Sequence, residues 1–93
     1  LWVTEFGWAT WADLPQPPPE EWMAFNSSDD QRAYTLRAFQ IGQALGYVGP
    51  MFLWNLNFGD TSSVSNRSEM VGYSLFIAGS VVRPLYQTLA GQT

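Results

Sequence analysis

Residues 51–56, Met-Phe-Leu-Trp-Asn-Leu, are apolar on both faces of a two-residue period, and a strand of that kind has to be covered above and below. Gly49-Pro50 punctuates the turn into it. A second segment of strand-forming character opens the chain as Leu1-Trp2-Val3-Thr4-Glu5-Phe6-Gly7-Trp8. The two are joined by one long helical pattern, so the expected fold class is α/β, with two parallel βα units, residues 1–46 and 47–93, forming a single partial domain. A sheet of two parallel strands leaves both edges unpaired and cannot hide Val3, Phe52 and Trp54 on its inner face. Something outside these two units must complete it.

The helix has a clear start. Ser28 reads as its cap, Asp29 and Asp30 favour the positive end of the helix dipole, and Gln31 completes an S-x-x-Q capping box. Tyr34, Ala38, Ile41 and Leu45 then form one stripe for packing on a sheet, and Gly46 ends the helix. Leu36 and Phe39 fall nearly opposite that stripe. They call for a second packing partner, either a neighbouring helix that this chain lacks or another copy of it.

In a regular strand Leu1, Val3 and Glu5 share one face while Trp2 and Thr4 share the other. Glu5 therefore continues a hydrophobic row, a costly place for a charge unless something pairs or uses it. It is either a strand-end carboxylate turned to water or a catalytic carboxylate at the mouth of a site. The connection after it, residues 6–28, is much longer than an ordinary βα link, and loops of that length are often functional. Trp8, Trp11 and Trp22 lie in it. Such rings can lie flat on the C–H face of a sugar while neighbours bond the hydroxyls; the alternative is a small satellite core under the loop. Trp8, three residues from Glu5, is the best platform of the three. Pro15, Pro17, Pro18 and Pro19 read as a stiff extended excursion, followed by solvated Glu20 and Glu21.

Trp54 faces either a site or the core. Asn57 and Asp60 follow at the same rim, placed to bond a sugar or to cap the turn at Gly59. Residues 61–68 read as polar loop, residues 73–76 as an apolar anchor, and residues 83–90 as a last helix with Pro84 in its first turn and Gly91 at its end. Asn26-Ser27-Ser28 and Asn66-Arg67-Ser68 match the N-glycosylation triplet.

Four Arg, no Lys and a net charge of −4 offer no basic stripe, which argues against nucleic acid and against anionic membrane surfaces. An acidic, aromatic-rich chain suits a neutral ligand such as a saccharide better. No apolar run reaches the roughly 18 residues of a membrane span, and no signal peptide is visible. Without Cys or His, the commonest thiol and imidazole ligands are missing, and no metal or cofactor is expected.

Three segments carry a family resemblance. Leu1-Trp2-Val3-Thr4-Glu5-Phe6-Gly7-Trp8 resembles the end of the seventh strand in the (β/α)8-barrel glycoside hydrolases of clan A, cellulase-like groups among them, where a "TEfGw" segment carries the nucleophile. Met51-Phe52-Leu53-Trp54-Asn55-Leu56-Asn57-Phe58-Gly59 is similar to the eighth strand, whose tryptophan lines the subsite beside the cleaved bond. Arg83-Pro84-Leu85-Tyr86-Gln87-Thr88-Leu89-Ala90 resembles the start of the last helix. The resemblance implies retaining hydrolysis of a saccharide or aryl glycoside with Glu5 as nucleophile, Trp54 as a substrate contact, and Phe52 in the barrel interior below Trp54 with Met51 and Leu53 under the helix layer; Trp8, Trp11, Asn57 and Asp60 are the further candidate substrate contacts read from the residues themselves.

A barrel of this type needs about 250 residues, and this chain has 93. The family's Asn-Glu pair, which supplies the general acid/base, is absent. The chain begins at Leu1 without Met, so a fragment, a processed product or an incomplete reading frame is one expectation. As it stands it is a quarter-barrel, completed by self-association. Four copies around a fourfold axis supply eight strands, and a homotetramer is favoured over a dimer or a domain-swapped form. In the resembled enzymes the two carboxyls come from strands three apart, whereas a fourfold ring places Glu5 on every second strand. Activity is therefore expected to be weak or absent in the isolated chain, and the contrasting reading is a non-catalytic self-assembling structural or carbohydrate-binding module.

Overall fold

The computed structural model describes residues 1–56, 59–77 and 81–91. In chain order the elements are β1 (Val3–Phe6), a 3-10 turn (Glu21–Ala24), α1 (Ser28–Leu45), β2 (Met51–Leu53), α2 (Thr61–Ser65), α3 (Glu69–Tyr73), β3 (Phe76–Ile77), β4 (Val81–Val82) and α4 (Pro84–Ala90). The chain is mixed α/β. β1 and β2 pair in parallel through the α1 crossover, as a βα unit requires, and β3 and β4 form a separate antiparallel pair.

The β1–β2 register joins Val3 to Met51 and Phe6 to Leu53, three steps on one strand against two on the other. This bulge reverses the alternation of side chains within β1. Leu1 and Val3 line a depression against α1 together with Met51, and Phe6 turns to α1 as well, edge-on to Phe39 with ring centroids 5.0 Å apart. Glu5 accordingly leaves the Leu1–Val3 row that an unbroken strand would give it, and is exposed on the open side.

The cap of α1 is one residue earlier than the S-x-x-Q pattern suggests. Ser27 accepts from the Asp30 N–H at 3.0 Å while the Asp30 carboxylate accepts from the Ser27 N–H at 2.9 Å, a reciprocal box that satisfies two orphan donors. Gln31 is thereby free to be buried, and its Nε2 donates to the carbonyls of Trp8 at 3.1 Å and Gly72 at 3.4 Å. Gly46 ends the helix at φ 77°, the left-handed position that glycine adopts without a Cβ penalty.

The buried face of α1 is Gln31, Thr35 and Gly42, not the large apolar stripe. Small residues let the helix sit close to the sheet: a Cβ at Gly42 would meet the Met51 sulfur. Tyr34, Ile41 and Leu45 consequently flank the contact and stay between 44% and 47% exposed. With Trp8, Leu1, Val3 and Met51 they border two open apolar depressions of about 260 and 310 Å3. Leu36 and Phe39 line a cleft of about 420 Å3 shared with Leu89 of α4, an element that packs on α1. Part of the cover expected for Leu36 and Phe39 thus comes from α4 and from Phe6 of the same chain, and the stripe expected to face the sheet is left largely open.

The long loop folds over a core of its own. Ala9, Trp11, Met23, Val71 and Ile77 are buried together. Residues 61–68, read as loop, include the short helix α2, because Asp60 caps it by accepting from the Ser63 N–H at 3.1 Å and the Ser63 hydroxyl at 2.7 Å.

Arg83 joins these pieces. Its side chain is fully buried and forms a bidentate pair with Asp13, Nε to Oδ2 at 2.9 Å and Nη2 to Oδ1 at 2.8 Å. The same guanidinium donates to the carbonyls of Thr10, Val71, Gly72 and Ser74 at 2.8–3.1 Å. The planar fork suits such convergence because its five N–H groups point in fixed directions. Burial by itself pushes the Asp13 carboxyl up, but the hydrogen bonds and charge of Arg83 outweigh this and hold it below the ordinary carboxylate value of 3.8.

Candidate functional site

The ends of β1 and β2 lie side by side, and the residues leaving them form an open depression of about 320 Å3 lined by Glu5, Phe6, Gly7, Trp54 and Tyr73. Parallel pairing requires this proximity, since both strands run toward the same edge. The Trp54 N–H donates to the Phe6 carbonyl at 2.8 Å and carries the ladder one step beyond β2. Gly7 lets the two chains close up: a Cβ there would sit 2.5 Å from the Trp54 carbonyl oxygen and 3.4 Å from Tyr73 Cδ1. Glycine at that position is a requirement of close approach.

Below the depression, on the same open face, Trp2 and Phe52 pack at a centroid distance of 6.4 Å. Phe52 is 51% exposed, while Met51 contacts α1, so the two sides of β2 divide as the strand pattern requires.

Beyond Trp54 the Trp54–Asn55 peptide is cis. Asn55 is buried and ties this exit to α3: its Nδ2 donates to the Met70 carbonyl at 3.1 Å, and its Oδ1 accepts from the Ser74 hydroxyl at 2.7 Å. Tyr73 is thereby brought to the edge of the Glu5 depression. Burial raises the pKa of its phenol, and the charge of Glu69 adds to that, so the hydroxyl keeps its proton through neutral pH. In the sequence, residues 73–76 mark only an apolar anchor. The signal for Tyr73 was the polar tip on an aromatic in an otherwise apolar run.

Of the candidate site residues that the structure describes, the fold brings Glu5 and Trp54 together and does not bring Trp8, Trp11 or Asp60 to them. Trp8 turns toward α1, 6.0 Å from the Tyr34 ring and 6.4 Å from Phe6, because the bulge that frees Glu5 also redirects the chain after it. Trp11 is 3% exposed in the loop core and donates its indole N–H to the Gln16 carbonyl at 2.9 Å, which leaves no face for a sugar. Asp60 is held as the cap of α2, and its bonds to the Ser63 hydroxyl and N–H lower its pKa. Asn57 lies outside the described residues.

The arrangement offers one exposed carboxylate, one half-buried indole and one protonated phenol. A carboxylate can attack an electrophilic carbon, an indole can carry a sugar ring, and a phenol can donate to a hydroxyl. Among the described residues no second carboxylate lines the depression, and no cluster of three His, Cys, Asp or Glu is disposed to hold a metal ion. No helix among them is long and apolar enough to cross a membrane. Comparisons with known protein families, with curated proteins and with solved structures return no match.

Proposed function

We propose that the chain is a glycoside hydrolase-like protein whose Glu5 is the nucleophile of a retaining β-glycosidase site, with Trp54 as the platform for the sugar. The observation that carries this reading is the meeting of Glu5 and Trp54 in one open depression at the ends of two parallel strands, where barrels of this kind keep their chemistry. In the proposed reaction a Glu5 oxygen attacks the anomeric carbon, the glycosidic C–O bond breaks, and water hydrolyses the glycosyl ester with retention.

The barrel itself belongs to the proposal. Both outer edges of the β1–β2 pair are unpaired among the described residues, and Trp2, Phe52, Tyr34, Ile41 and Leu45 remain substantially exposed. Parallel sheets need cover on both faces and partners at both edges. Copies of this chain supply them if β2 of one pairs with β1 of the next, and four copies close eight strands. Sedimentation equilibrium is expected to give four times the chain mass, or twice that mass if a pair of copies suffices. A stable, folded monomer would contradict the ring.

A non-catalytic carbohydrate-binding or structural module is the second reading, favoured by the lone carboxylate in the depression. Retaining hydrolysis uses two carboxyls roughly 5–5.5 Å apart. On either reading, unassisted hydrolysis of ordinary glycosides is weak or absent.

A further inference from the structure

We infer that Tyr73 is a specificity-determining donor of the same site, its phenol hydrogen-bonding one hydroxyl of the saccharide that lies over Trp54. The inference rests on the saccharide reading of the Glu5 depression and adds to it a residue from a third, distant element. Glu5 and Trp54 come from the paired strands, whereas Tyr73 is the last residue of α3.

Tyr73 is half-buried against the loop core, and its neighbours are fixed by hydrogen bonds. The residues on either side of it are clamped by one buried guanidinium: Arg83 Nη1 donates to the Gly72 carbonyl and to the Ser74 carbonyl, each at 2.8 Å. The Ser74 hydroxyl donates to Asn55 at 2.7 Å, so the segment that presents Tyr73 is fastened to the segment that presents Trp54. The ring rests on Gly7, within van der Waals reach of any Cβ built there. A donor fixed in this way loses little freedom when a ligand arrives, and pre-organisation of this sort raises both affinity and selectivity.

The chemistry assigns a role by elimination. A phenol whose pKa is raised by burial and by Glu69 is a poor acid near neutrality, so Tyr73 does not replace the missing proton donor to the leaving group. It retains the one donor proton that a sugar hydroxyl can accept. A site built to bond a particular hydroxyl discriminates strongly against the analogue that lacks it, because its own polar group is then left unpaired.

The test is calorimetric titration of the full chain with β-1,4-linked gluco-, manno- and xylo-tetraose, then with monodeoxy analogues of the tightest binder. Tyr73→Phe removes the hydroxyl and keeps the ring on Gly7; Trp54→Ala serves as the site control, and circular dichroism checks that both variants fold. The expected result is binding about tenfold weaker in Tyr73→Phe, the size of one well-placed hydrogen bond. One deoxy position should cost the wild type that same factor and cost the variant nothing, a coupling that a merely displaced backbone does not produce. If Tyr73→Phe binds like wild type while Trp54→Ala loses binding, the role of Tyr73 is overturned and the saccharide site stands. If the wild type binds none of the three tetraoses, the site reading and the role of Tyr73 fall together.

Discussion

Arg83→Met is expected to destabilise the chain by about 4 kcal/mol, from the known cost of removing one member of a buried ion pair. Methionine preserves most of the stem but supplies none of the donors. The Asp13 carboxylate and the carbonyls of Thr10, Val71, Gly72 and Ser74 would all lose this partner at once. The Val71 and Gly72 carbonyls keep the N–H donors of Ser74 and Thr10, and Asp13 keeps the Ser28 hydroxyl, but each buried acceptor that is left unpaired costs about 1–3 kcal/mol, and a domain has only about 5–15 kcal/mol in total. Arg83→Lys is expected to recover little, since a point charge cannot reach acceptors spread around a fork. Asp13→Asn should cost less, because the amide oxygen still accepts from the guanidinium and the carbonyls of Thr10, Val71, Gly72 and Ser74 keep its other N–H groups satisfied.

The same pair sets an acid limit. The folded-state pKa of Asp13 is depressed, so its contribution is fully present above the ordinary value of 3.8 and is lost as pH falls through the lower folded value. Urea unfolding of the variants, and of wild type below pH 4, measures both effects. A loss under about 1 kcal/mol for Arg83→Met would mean that the cluster is not what holds the loop, α3 and α4 together.

The second large effect concerns the leaving group. If Glu5 is the nucleophile proposed above and no second carboxyl joins it, the site should cleave dinitrophenyl glycosides, whose phenolate departs without protonation, and should leave alkyl glycosides untouched. A positioned general acid contributes about 10²–10⁴-fold, and the ratio between the two substrate classes should exceed the intrinsic difference in their leaving groups by that factor relative to an enzyme with both carboxyls. Glu5→Gln keeps the shape of the side chain and removes the attacking charge, which should lower dinitrophenolate release by about a thousandfold or more. Absorbance of the released phenolate reads both comparisons. Turnover that persists in Glu5→Gln excludes this residue as the nucleophile.

Much of the frame was readable because it depends on local pattern. The doubly apolar 51–56 run, the strand at the start of the chain and the Gly46 stop each rest on a handful of neighbouring residues, and the parallel pairing follows from their order. That Glu5 and Trp54 meet was readable for the same reason, since each stands where its strand ends.

What escaped depends on partners far away in sequence. The bulge in β1 exists only relative to the register of β2, so a regular alternation assigned Glu5 to the wrong row. The stripe on α1 was visible, but Thr35 and Gly42 decide its orientation by being small enough to approach the sheet. Trp8 is close to Glu5 along the chain yet faces away from it. Trp11 follows the satellite-core alternative, an aromatic consumed by a core that forms only when Met23, Val71 and Ile77 arrive. Asp13 and Arg83 are 70 residues apart, and no local window pairs them.

Covalent trapping reads out whether Glu5 forms a bond to the anomeric carbon of a sugar, as the proposed reaction requires. A 2-deoxy-2-fluoro glycoside with a dinitrophenyl leaving group needs no acid to react, and its fluorine slows hydrolysis of the ester so that the adduct accumulates. After incubation, intact-mass measurement should show one fluoroglycosyl group per labelled chain, peptide mapping should place it on Glu5, and Glu5→Gln should remain unlabelled. A label on another carboxylate, or none on a folded chain that binds the reagent, would contradict the account.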